Sequence, residues 1–315
     1  MKRSTLIGAG IVIISLLALF TVFMLNFGQA SHRASSRGPQ NAIGVVYVSG
    51  TITSGGSGSD LFGGLTAGSN TVMAQIRKAK DDPEVKAVVV RINSPGGSAA
   101  ASQEIAEEIK KLREAGKIVV TSMGDTAASG GYWIAANTDR IVANPGTLTG
   151  SIGVITQLQN LEELYDKIGI SYETFTSGPH KDMGSSARSL TDEEREIFQA
   201  MVDDIFQQFV SVVAEGRGMT REEVLQLADG RIFTGRQAQE VGLVDDLGNF
   251  HDAIDIAAQM AGLGTDYLVK EFVRTTPLQR LLQGFGITLQ NLIGTNSPRG
   301  LLYSPIDNLQ LTIDN

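Results

Sequence analysis

Three short runs rich in β-branched residues constrain this chain most: Ile43 to Val48 (IGVVYV), Val85 to Ile92 (VKAVVVRI) and Lys117 to Ser122 (KIVVTS). A strand with one wet face alternates apolar and polar residues. A run that stays apolar at successive positions needs cover on both faces, as in a parallel sheet flanked by helices. The intervening segments supply that cover. Val72, Ile76 and Ala79 recur at helical spacing, as do Ala101, Ile105, Ile109 and Leu112. Strands alternating with helices predict one α/β domain. Arg140 to Ala143 and Ile152 to Thr156 read as further short strands around an Asn144-Pro145-Gly146 turn, and the glycine- and serine-rich stretch from Ser54 to Ser69 as a surface loop. From Asp192 to about Gly216 the spacing of Ile197, Met201, Ile205, Phe209 and Val212 predicts a longer helix.

Composition narrows the function. With 34 acidic against 26 basic residues and a net charge of −8, the chain is a poor candidate for binding nucleic acid. The absence of cysteine removes disulfides, thiolate catalysis and cysteine-based zinc sites together. Leu6 to Phe27 holds no charged residue and is long enough for a ~30 Å hydrocarbon core at ~1.5 Å per residue. It predicts an uncleaved transmembrane anchor, with residues 1–5 cytoplasmic because of Lys2 and Arg3. Residues 28–42 then read as a juxtamembrane linker, 43–270 as the catalytic domain and 271–315 as a tail. In that tail Leu278, Leu281, Leu282, Phe285 and Leu289 give an apolar face that suits an oligomer or membrane contact.

Three glycine-bearing loops follow predicted strands, where open parallel sheets place their sites. Asn93-Ser94-Pro95-Gly96-Gly97 brings paired glycines whose N–H groups can approach a ligand closely. Ala128-Ser129-Gly130-Gly131 places a hydroxyl at a helix start, either as a plain N-cap or as a nucleophile. Thr149-Gly150-Ser151-Ile152-Gly153 is the third. Bases are scarce. The histidines are His32, His180 and His251, and a triad would pair His180 with a carboxylate such as Asp125 or Asp139. Lys181 is the other candidate, and as a base it must be neutral, far below the ~10.4 of a free lysine.

Together these loops, with Gly178…Lys181-Asp182 and the later Phe233-Thr234-Gly235-Arg236-Gln237-Ala238, resemble the signal peptide peptidase A family, peptidase family S49 of the Clp/crotonase superfamily. The resemblance covers roughly Ile43 to Leu263 and implies a Clp/crotonase-like α/β domain of repeated ββα and βαβ units, preceded by one transmembrane helix. It implies a Ser-Lys dyad: Ser129 as nucleophile, Lys181 as general base, Ser151 orienting the lysine, and the N–H groups of Gly96 and Gly130 as oxyanion hole. A membrane-anchored serine endopeptidase of the bacterial cytoplasmic membrane is implied, facing outward and degrading remnant signal peptides. The resemblance further implies a homo-oligomeric ring whose dyad is shared between neighbouring protomers, and no metal, nucleotide or organic cofactor.

His180 departs from the aromatic expected before the lysine and keeps a His-assisted variant open. The competing classes are a crotonase-type acyl-CoA enzyme and a non-catalytic membrane-anchored scaffold.

Overall fold

The structure, a computed structural model, describes residues 41–59 and 64–273. In chain order β1 (Ala42–Ser49) and β2 (Thr51–Thr53) are followed by β3 (Gly58–Ser59), β4 (Leu65–Gly68) and α1 (Ser69–Asp81). Next come β5 (Val85–Ser94), α2 (Ala99–Glu114), β6 (Ile118–Ala128) and α3 (Gly130–Ala135). The middle of the chain holds β7 (Arg140–Ala143), β8 (Leu148–Gly150) and α4 (Glu162–Ile168). The remainder is α5 (Asp192–Arg217), α6 (Arg221–Leu227), β9 (Ile232–Thr234), α7 (Gly235–Glu240), β10 (Asp246–Leu247), α8 (Phe250–Met260) and β11 (Leu268–Glu271).

The main sheet runs β10-β7-β6-β5-β1-β11, all pairs parallel. Its strands are covered on both faces, as their unbroken apolar runs require. On one face Val46, Val88, Val90, Ile92 and Val119 join Val72 and Ile76 of α1 and Ile105, Ile109 and Leu112 of α2. On the other, Ile43, Ala87, Val89, Val120 and Val142 meet Ala253, Ile254, Ala257 and Ala258 of α8. Neighbouring residues along each strand thus belong to different cores.

β6 is long enough to change partners. Its first half pairs with β7 and its last residues, Thr126 to Ala128, pair with β8. β8 in turn pairs antiparallel with β9. The strand expected at Ile152–Thr156 therefore lies earlier, at Leu148–Gly150. Thr147 Oγ1 donates to Gly124 O at 2.6 Å and Thr149 Oγ1 to Ala127 O at 2.7 Å, fixing this segment beside β6. Gly150 (φ 77°) and Ser151 (φ 49°) then leave the extended conformation, so the strand cannot continue. The loop expected from Ser54 to Ser69 also carries structure, a small sheet in the order β2-β4-β3.

The long helix forms, but its apolar stripe is only partly used. Phe209, Val210 and Val213 are buried near its C-terminal end, whereas Met201 is exposed. Thr191 and Glu194 close its N-terminus as a capping box.

The membrane-spanning part of the expected fold is corrected. Among the described residues no helix is long and apolar enough to cross a membrane. α5 has the length but begins Asp192-Glu193-Glu194-Arg195-Glu196, carries Asp203-Asp204 at its middle and ends on Glu215 and Arg217. The segment that prompted the expectation, residues 6–27, lies outside the described residues, as does the chain from residue 274. Across the described residues the fold is an α/β domain. The membrane anchor, the membrane as partner, the single-pass topology and the extracytoplasmic location find no support in the described residues.

Gly216 shows how tightly α5 is seated: a Cβ there would lie 1.8 Å from Ala136 O at the end of α3. Alanine gains about 1 kcal/mol over glycine in a helix. Overpacking typically costs about 1–3 kcal/mol, and here the neighbour is unyielding backbone. Gly216→Ala is therefore expected to destabilise the domain despite its better helix propensity, seen as a lower urea midpoint at unchanged slope.

Candidate active site

β5 and β6 run parallel with Ser94 opposite Ala127, so the loops at their C-terminal ends emerge side by side. β5 delivers Pro95-Gly96-Gly97 and β6 delivers Ser129. Ser129 adopts φ 52°, ψ −119°, a conformation that residues with a Cβ rarely take. Such a backbone costs on the order of 1–3 kcal/mol and persists only where its surroundings fix it. Two hydrogen bonds do so: the Ser129 N–H donates to Gly150 O, and Ser129 O accepts from the Trp133 N–H, both at 2.9 Å. Its side chain makes no capping bond to α3. Ser129 stands at the N-cap position with its hydroxyl left over.

The glycines around it leave room for hydrogen only. A Cβ on Gly96 would stand 2.7 Å from Ser129 Cβ, and one on Gly97 2.1 Å from Ile52 O. One on Gly130 would lie 2.4 Å from Ser102 Oγ. The backbone donors divide in an informative way. The Gly96 N–H donates to the buried Ser94 Oγ at 3.1 Å. Among the described residues the Gly97 N–H has no acceptor, and neither does the Gly130 N–H at the first position of α3. Gly97 N lies 3.4 Å from the place a Gly130 Cβ would occupy, so the two free donors are neighbours.

Ser129, Gly97, Gly130 and Ser151 line one cleft of about 800 Å³. Ser151 reaches it through the left-handed turn after β8, held by its N–H donating to Arg231 O at 2.8 Å. The remaining wall is largely apolar, with Trp133, Val154, Val202 and Phe206 among its residues. Trp133 packs on Phe209 of α5, ring centroids 4.8 Å apart. At the rim, the hydrogen-bonded Arg231 guanidinium holds the Asp229 carboxyl at about 2. Among the described residues no cluster of three or more His, Asp and Glu is disposed to hold a metal ion.

Lys181 is not in this cleft. It is exposed on a turn where the Lys181 N–H donates to Gly178 O at 3.2 Å, and its ammonium has no partner among the described residues. The triad alternative is not assembled either. His180 Nε2 stands 3.5 Å from Glu193 on α5. Asp139 is engaged by Arg113 and the Val119 N–H, and Asp125 accepts from Asn93 Nδ2. His251 begins α8 against Phe250, and His32 lies outside the described residues.

Two groups that sequence reasoning passed over stand out. Ser94 was read only as part of a loop, yet it holds the turn before Gly97. Arg188, seven positions after Lys181, gathers Asp182, Glu194 and Ser189 O around its guanidinium. Charge spacing alone does not reveal such a convergence. Ser94→Ala leaves the Gly96 N–H without its partner in a buried turn. It is expected to lower stability by about 1–3 kcal/mol, measured by urea unfolding.

Comparison with known proteins places the chain in a family. The description Peptidase family S49 matches residues 111–264, and Clp protease matches residues 66–147. A Synechocystis sp. protein named "Putative protease slr0021" is 45% identical over 234 residues, covering 74% of this chain and 84% of that one. The protein named "Putative signal peptide peptidase SppA" from Enterococcus faecium is 41% identical, covering 73% of this chain and 67% of its own. Protease 4 of Salmonella typhi is 41% identical over 221 residues, and there the match spans only 35% of the relative's length. This chain belongs to peptidase family S49 and is a serine peptidase.

Proposed function

We propose that the peptidase works through a dyad of Ser129 and Lys181 contributed by different copies of the chain. The observation that carries this reading is the separation of the two residues within one copy. Ser129 lies in the cleft beside two N–H donors that are unused among the described residues, while Lys181 is exposed, outside the cleft and without a partner among those residues. The segment that carries Lys181 supports the same arrangement. α4 buries no residue, and Ile155 (88% exposed) and Phe175 (93% exposed) present large apolar side chains to solvent. Apolar surface of this kind is expected to be covered by a neighbouring copy.

In this reading neutral Lys181 of one copy accepts the Ser129 proton of the next as Ser129 Oγ attacks a peptide carbonyl. The carbonyl oxygen, now an anion, is met by the N–H groups of Gly97 and Gly130. Gly97 replaces the Gly96 donor expected from the sequence, because the Gly96 N–H already serves Ser94. Ser151, at the cleft edge, orients the lysine. Protonated Lys181 then gives its proton to the leaving amine, and water resolves the acyl-enzyme. The apolar cleft wall favours extended peptides with large apolar side chains.

Ser129→Ala and Lys181→Ala are each expected to lower peptide hydrolysis by at least about 10³-fold without loss of fold. Mixing the two dead variants and allowing exchange should restore roughly a quarter of the wild-type rate, the share of junctions pairing an intact serine with an intact lysine. A mixture as inactive as its parts would place both residues in one copy, and an active Lys181→Ala protein would remove lysine from the chemistry. Activity should also fall at low pH, where a protonated base cannot accept the Ser129 proton.

A further inference from the structure

The turn bearing Lys181 contributes no residue between Gly178 and Ser189 to either apolar core, yet a general base must be held to within a fraction of an ångström. We propose that Arg188 is the positioning residue for Lys181, clamping its turn to the start of α5. This rests on the dyad reading and extends it.

All five N–H donors of the guanidinium are used. Arg188 Nε and Nη2 donate to Asp182 Oδ2 and Oδ1 at 2.9 and 2.8 Å, a bidentate fork on the residue next to Lys181. Nη1 and Nη2 donate to Glu194 Oε2 and Oε1 at 2.9 and 2.5 Å. The fifth donor, on Nη1, meets Ser189 O at 3.0 Å. Glu194 is itself immobilised. It is buried, and its Oε2 accepts the Thr191 N–H at 3.0 Å in the capping box of α5. The chain of fixed groups therefore runs from the first turn of α5 through Glu194, Arg188 and Asp182 to the backbone of Lys181. A lysine at position 188 has a point charge and cannot make both forks.

The clamp keeps its charges across the neutral range. The Arg188 hydrogen bonds hold Glu194 at about 2 and Asp182 below its ordinary value. Because both pKa values are lowered on folding, this contribution to stability is complete above the ordinary carboxylate range. It is lost as pH falls toward 2. The other charged or titratable groups of the turn and helix start are Lys181 itself, His180 and Glu193, which face each other, Asp192 and Arg195, which pair at 4.0 Å, and Glu196.

The test compares Arg188→Gln, Arg188→Lys, Asp182→Asn and Lys181→Ala in the full chain, with kcat, KM, the pH profile and urea unfolding read for each. Misplacing a reacting group by about 1 Å costs up to about 10²-fold. Arg188→Gln is accordingly expected to lower kcat about 10- to 100-fold with KM within about twofold, and Arg188→Lys to recover part of that loss. The pH profiles separate positioning from damage to the fold. Arg188→Gln leaves Asp182 and Glu194 uncompensated beside Lys181, so the acid limb should move to higher pH. Asp182→Asn removes a negative charge and should move it to lower pH while also lowering kcat.

Wild-type kcat in a folded Arg188→Gln protein, or loss of kcat with no movement of the limb in either variant, would overturn the clamp. If Arg188→Gln does not fold, Asp182→Asn and Arg188→Lys carry the same two readouts. An inactive Lys181→Ala beside a fully active Arg188→Gln rejects the clamp and keeps the dyad. An active Lys181→Ala rejects the dyad, and the clamp with it.

Discussion

The register of β5 against β6 governs everything that happens in the cleft. Because the strands are parallel, both loops leave at the same end of the sheet, and a shift of register after Ile92 pairs Ser94 with Ala127, which puts the glycine pair against the serine. A parallel sheet is buried on both faces, so this register is locked by packing on two sides. Val88, Val90 and Ile92 hold β5 to α1 and α2, while Ala87 and Val89 hold it to α8. A slip of one residue would exchange those two sets and empty both cores. The geometry around Ser129 is thus set by groups that never touch a substrate.

On that frame the chain tolerates local strain. Ser129 and Ser151 are the non-glycine residues with positive φ among those described, and both line the cleft. Each is held by backbone hydrogen bonds to a neighbouring strand or its adjoining turn, Ser129 through Gly150 O and Ser151 through Arg231 O. β8 links the two, because it pairs with β6 on one side and β9 on the other. The strained serines are therefore products of one small patch of sheet.

Much of this was legible in the sequence, for physical reasons. The β-branched runs at Val85–Ile92 and Lys117–Ser122 can exist in water only as covered strands, and the Ile105, Ile109, Leu112 spacing only as a helix seated on them. The glycine pairs at 96–97 and 130–131 likewise announce places where a Cβ will not fit. Less was visible where side chains decide. The strand near residue 150 was displaced because Thr147 and Thr149 bond to backbone carbonyls of β6, which hydrophobic pattern does not report. Which glycine keeps a free N–H depended on the hydroxyl of Ser94. The stripe of α5 promised a fully seated helix, yet Met201 faces solvent, since periodicity cannot tell whether the face it predicts meets its own chain or another.

The unpaired lysine has a consequence for how such an enzyme comes into being. A serine peptidase with both halves of its machinery in one chain is competent from the moment it folds. Here the folded single chain holds Ser129 ready beside Gly97 and Gly130, with no lysine or histidine lining the cleft among the described residues. In the arrangement proposed above, association itself is the activating step. Dilution then acts as an off switch, and newly made chains remain harmless until enough of them have accumulated to meet.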